Sequence, residues 1–219
     1  MVQFHLIMLQ RAHRELRALR EFFADCGSEI VVLCAAAASL ILMKYHPARS
    51  WWMTNAVYFG AVPLVVIAAV LRRNPLEFGL GAGDAKRGAL HAAIGCAGAA
   101  VVVLVASRLP SVGSFYARES LSLGSYVAAR IVIIASLEFF FRGFLLFGLM
   151  RRFGAGAVAV QMLPFAALHA GKPEAEAFGC ILSGLYLGYV AYRSNAIWPA
   201  FVIHLFANVL NVVVHAVPT

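Results

Sequence analysis

A chain of 219 residues with 62% hydrophobic and 13% charged residues is more apolar and less charged than soluble domains, which excludes an ordinary water-soluble fold. Its net charge of +8 sits at the ends of apolar stretches, where membrane proteins keep their cytoplasmic arginines and lysines, so no nucleic-acid partner is expected. The cysteines Cys26, Cys34, Cys96 and Cys180 have neither zinc nor disulfide spacing and read as small packing residues.

The opening segment, residues 1–27, places Leu9, Leu16, Leu19, Phe22 and Phe23 near helical spacing, with Arg11, Arg14, Arg17 and Arg20 over the remaining surface. That pattern predicts an amphipathic helix lying in the membrane interface. It does not read as a signal peptide, because its charges follow the apolar residues and no small-residue cleavage site is present. Residues 28–219 form the transmembrane domain. Apolar stretches at about 28–44, 51–71, 88–107, 126–150, 155–170, 175–193 and 196–216 predict seven transmembrane helices. The fold class is an all-α polytopic membrane protein. The glycine-rich connector GLGAGDAKRG (79–88) follows no strand and lacks Walker spacing, so it reads as a flexible connector rather than a phosphate loop.

Seven passes put the termini on opposite sides. The N-terminal side collects Arg11, Arg14, Arg17, Arg20, Arg72, Arg73, Lys86, Arg87, Arg151, Arg152 and Arg193. The far side has Lys44, Arg49, Arg108, Arg118 and Lys172. The asymmetry predicts a cytoplasmic N-terminus in a plasma (inner) membrane protein.

Polar residues inside the spans recur at helical spacing. Glu138 and Arg142 are four apart in the fourth stretch, His169 ends the fifth four residues after Phe165, and His204, Asn208 and Asn211 share a face of the seventh. Each has a plain structural reading: a self-neutralising ion pair, a helix cap, and hydrogen-bonding glue between helices. Polar faces on three helices must nevertheless avoid lipid by turning toward one another. Together they supply a base, proton donors and an oxyanion binder. Gly179, Ser183, Gly184 and Gly188 permit close packing of the sixth stretch.

The motifs LEFFFRG (137–143), FAALH (165–169) and HLFAN (204–208) resemble, in order and placement, those of the CAAX prenyl protease and bacteriocin-processing (CPBP, or Abi) family, over about residues 126–212. The resemblance implies an intramembrane glutamic endopeptidase. It assigns the second glutamate of the first motif to Glu138 and its arginine to Arg142, the second motif to Phe165 and His169, and the third to His204 and Asn208. The first motif glutamate is Leu137 here. A neighbour on an α-helix points about 100° away, so Glu138 takes the vacant place only through a rotation or local distortion.

The expected chemistry is hydrolysis of a peptide bond in a membrane-associated or exported protein, such as a C-terminal sorting tail. Glu138, assisted by His169, takes the proton of the attacking water, His204 and Asn208 hold the oxyanion, and Arg142 positions Glu138. No cofactor and no metal are required. The alternatives are a catalytically inactive immunity factor or scaffold of the same fold, and a zinc protease, although HExxH is absent and an amide is a poor zinc ligand. No repeated halves suggest a transporter.

Overall fold

In the computed structural model, residues 2–116 and 123–216 are described, and every regular element among them is helical. In chain order these are α1 (Val2–Tyr45), α2 (Trp51–Val70), α3 (Ala85–Ala106), α4 (Pro110–Tyr116), α5 (Leu123–Glu138), α6 (Leu146–Phe153), α7 (Ala157–Leu168), α8 (Glu174–Ser194) and α9 (Trp198–Ala216). A π-helical stretch, Phe139–Leu145, joins α5 to α6 without a break. Two further π stretches, Ala56–Ala61 and Val66–Val70, flank the Pro63 turn of α2. Proline removes a backbone donor and crowds the preceding turn, and a widened turn relieves both. Arg118 of the topology argument lies outside the described residues.

The polytopic all-α architecture holds. Among the described residues, five helical stretches are by length and composition long and apolar enough to cross a membrane: Met8–Tyr45, Trp51–Val70, Ala85–Ala106, Gly124–Ala167 and Trp198–His215. The fourth covers two expected spans, joined through the short 3-10 turn Gly154–Gly156. α7 has only 12 residues, a rise of about 18 Å against the ~30 Å hydrocarbon core. α8 is long enough at 21 residues, but its glycines, serines and tyrosines dilute its hydropathy.

The boundary expected at residue 27 is also absent. The amphipathic segment and the first apolar stretch are one 44-residue helix. Arg151 clamps it by donating from Nε and Nη2 to the Glu29 carboxylate (3.0 and 3.3 Å) and from Nη2 to the Asp25 carbonyl (2.8 Å). Arg152 donates to Asp25 Oδ2 at 2.9 Å.

The fourth stretch is the hub of the bundle: 78% of its apolar window is buried, against 11–33% for the other four. Around it gather Phe59, Phe78, Phe140, Phe141, Phe144 and Phe165, all essentially solvent-free. Phe140 packs 4.5 Å from Phe59 and 4.9 Å from Phe141, centroid to centroid. A central helix walled by rings and neighbouring helices can carry charges that a lipid-facing helix could not.

The connector at 79–88 is pinned rather than loose. Asp84 N–H donates to the Ser194 carbonyl at 2.7 Å, Ile197 N–H to the Gly79 carbonyl at 2.9 Å, and Trp198 Nε1 to the Ala82 carbonyl at 3.0 Å. Gly79 and Gly83 have φ of 80° and 57°, left-handed values that favour glycine. At Gly83 a Cβ would strike the backbone of Ser194. The loop is thereby fastened to the turn between α8 and α9.

Candidate active site

The site is built around the junction of α5 with the π stretch. Glu138 is the last residue before the i→i+5 turns begin, so the local distortion that the sequence demanded is present beside it. Turns of this kind add a residue to the ladder and re-aim the side chains around them. Leu137 packs against the apolar core.

Glu138 and Arg142 are both fully buried, with Arg142 Nη1 donating to Glu138 Oε1 at 3.1 Å. The same oxygen meets His204 Nδ1 of α9 at 2.6 Å, so the pair does not merely neutralise itself within one helix. Behind it the Arg142 guanidinium lies 4.0 Å from the Phe165 ring centroid, a cation–π contact that partly replaces lost hydration. Glu138 Oε2 and Arg142 Nε and Nη2 are buried with no hydrogen-bond partner among the described residues. Buried polar atoms of this kind call for partners.

His169 is the C-cap of α7, and its Nδ1 bonds the Phe165 carbonyl at 2.9 Å. The expected helix cap is thus realised. Its ring lies 4.7 Å from the Phe165 ring, which also has the His204 ring at 6.0 Å. Both imidazoles therefore flank one phenylalanine. Asn208 donates Nδ2–H to the His204 carbonyl one turn earlier, at 3.1 Å, which leaves the second amide hydrogen to act elsewhere. The five expected residues gather in one region, but the direct partner of the carboxylate is His204 rather than His169.

A carbonyl can only accept, so His169 Nδ1 carries its hydrogen and Nε2 holds a lone pair. The same holds for neutral His204, whose Nδ1–H faces a carboxylate paired with arginine. Burial is graded: Glu138 is fully enclosed, the His204 side chain is 13% exposed, and His169 and Asn208 are intermediate. The imidazoles and the amide form the accessible side, and the carboxylate sits behind them. Among the described residues no three His, Cys, Asp or Glu side chains converge as a metal-binding group.

Gln161 was not among the expected residues. It is fully buried in α7, and its Nε2 donates to the Gly184 carbonyl of α8 at 3.0 Å and to Val158 at 2.9 Å. Cβ atoms at Gly184 and Gly188 would strike Phe165 and Gln161 respectively, whereas Gly179 faces open space. Gln161 thus clamps α7 to α8 and steadies the helix that presents Phe165 and His169. Its signal was legible, since 161, 165 and 169 recur every four residues on one face.

The family model described as Rce1-like, type II CAAX prenyl endopeptidase, matches residues 119–210. No curated protein and no solved structure matches the chain.

Proposed function

From the match of residues 119–210 to the Rce1-like family model, we propose that the chain is an intramembrane endopeptidase of the CAAX type that hydrolyses a peptide bond of a membrane-associated protein. The observation that carries this reading is the 2.6 Å bond between His204 Nδ1 and the enclosed carboxylate of Glu138. An imidazole anchored at Nδ1 by a buried carboxylate, with Nε2 on the accessible side, is the orienter-and-base arrangement of hydrolytic sites.

In this mechanism a water lies between the two Nε2 atoms. His204 Nε2 takes one proton as the oxygen attacks the peptide carbonyl carbon. The imidazolium that forms is stabilised by Glu138, which Arg142 holds in place. His169 Nε2 accepts the second water hydrogen and sets the direction of attack. The free Nδ2–H of Asn208 donates to the tetrahedral oxyanion. The proton held on His204 then passes to the leaving amine, which breaks the carbon–nitrogen bond. No group outside the chain is needed to balance the reaction.

The finer topology belongs to this proposal: seven passes with the N-terminus in the cytoplasm of a plasma-membrane protein. Contacts between connectors support it. Asp25 and Glu29 meet Arg151 and Arg152, and residues 79–84 meet 194–197, all on the expected N-terminal side. At the other end Lys172 lies 4.7 Å from the Phe115 ring.

Incubating the purified protein in nanodiscs with C-terminally anchored model peptides, followed by mass spectrometry of the products, tests the reading. Cleavage that disappears in His204→Ala and His169→Ala is expected. Cleavage at the native rate in either variant would remove that residue from the mechanism.

Leu137 favours a second reading, an inactive relative that binds a partner's segment in the same cavity. If the native chain cleaves nothing and Leu137→Glu cleaves the same peptides, this second reading replaces the first.

A further inference from the structure

The first half of α1 is the part of the molecule that the catalytic reading leaves unused. From Leu9 onward one series of its apolar residues alternates by three and four, namely Leu9, Ala12, Leu16, Leu19, Phe23, Cys26, Ile30 and Leu33, with Phe22 beside it at a g position. This is the a/d repeat of a coiled coil, and it continues into the membrane span. Leu9, Leu16, Leu19 and Phe23 are each more than half exposed. The bundle is met by a different face, made by Glu29, Val32, Ala36, Ser39 and Met43. At 100° per residue the seam lies about 140° from that face.

For the segment to lie flat on the membrane, α1 would have to bend, and Gly27–Ser28 is the place where helices bend. The helix runs through it unbroken. The arginine clamp also straddles that glycine: Asp25 before it and Glu29 after it are both tied to α6. The clamp acts as a splint, and the segment projects about 35 Å beyond the bundle as a straight arm.

We propose that the arm pairs with the arm of a second copy as a parallel two-stranded coiled coil. Two copies inserted the same way have parallel arms, so the membrane fixes the orientation. In that register Glu15 occupies a g position and Arg20 the e position five residues on, which places the carboxylate of each copy against the guanidinium of the other. Past the arm the seam meets Cys34, Ala37 and Ala38, exposed small residues that let membrane helices approach closely.

The experiment uses the full chain in membranes, with Cys26, Cys34, Cys96 and Cys180 replaced by alanine and a single cysteine returned. Under mild oxidation Leu19→Cys should form a disulfide-linked dimer, whereas Arg14→Cys, on the outer face, should not. Glu15→Arg should lower the cross-linked fraction several-fold, and adding Arg20→Glu should restore it. Equal cross-linking at positions 14 and 19, none at either in folded protein, or no recovery in the double charge swap would each overturn the pairing. An arm lying in the interface would give the second of these outcomes.

Discussion

Arg73 and Glu77 stand four residues apart and meet at 2.6 Å, with side chains 40% and 49% exposed; Glu138 and Arg142, also four apart, meet at 3.1 Å with neither exposed. Each arginine also lies over a phenylalanine, Phe78 at 5.0 Å and Phe165 at 4.0 Å. Spacing, residue types and a ring beneath the guanidinium are shared, whereas the order of the two charges is reversed and their exposure to solvent is opposite. Water screens the first pair, and exposed pairs contribute little. The second is sealed in the bundle, where removing one partner leaves an uncompensated charge, and its carboxylate has acquired a second partner on another helix. An ion pair becomes part of a site when the fold withdraws the solvent.

The largest expected effect is on rate. Glu138→Gln keeps the shape but loses the charge that orients His204, and turnover should fall about 10,000-fold, as for an orienting carboxylate elsewhere. Single-turnover cleavage in nanodiscs measures it, and a loss below tenfold would reduce the buried pair to the status of the surface one. Arg142→Leu should destabilise the protein by about 3–5 kcal/mol, read from denaturant unfolding in detergent. Adding Glu138→Gln should recover most of that loss. If the double variant is no more stable than the single, uncompensated charge is not the reason.

Smaller effects should follow from groups around the pair. Asn208→Ala should lower kcat about 100- to 1,000-fold with KM little changed, since the amide acts on the oxyanion. Gly188→Val should force α7 from α8 at Gln161 and lower stability by about 1–3 kcal/mol, visible as a lower Tm, while Gly179→Val should leave Tm unchanged. The smallest effect belongs to the exposed pair, where Arg73→Ala should leave both Tm and rate at native values. The hydrogen bond from Arg73 holds the Glu77 carboxyl below its ordinary pKa. Any contribution from it is therefore present at neutral pH and lost on acidification through that lowered value. A large drop in Tm for Arg73→Ala would erase the contrast between the two pairs.

Much of this was legible because helices repeat locally. Glu138 with Arg142, Phe165 with His169, and His204 with Asn208 share faces by arithmetic on 3.6 residues per turn, and the apolar stretches gave the all-α membrane architecture. The unbroken α1 was not legible, because Gly27 and the shift from charged to apolar residues look like a boundary, and the clamp that holds the turn straight comes from Arg151 and Arg152, far along the chain. The turn before α7 was legible in Arg151, Arg152 and the glycines at 154 and 156, whereas the end of α7 at Leu168, with His169 as its cap, was fixed only by the backbone.

By itself the sequence determined which residues face together on each helix, that polar faces must turn inward, and that position 137 lacks a carboxylate. Tertiary structure alone decided that His204 rather than His169 meets Glu138, that a π stretch begins just after Glu138, and that both imidazoles flank Phe165. The physical reason is range. Side-chain direction along one helix follows from its own dihedrals, whereas the rotation and depth of one helix against another are set by packing volumes and glycine gaps in segments distant along the chain.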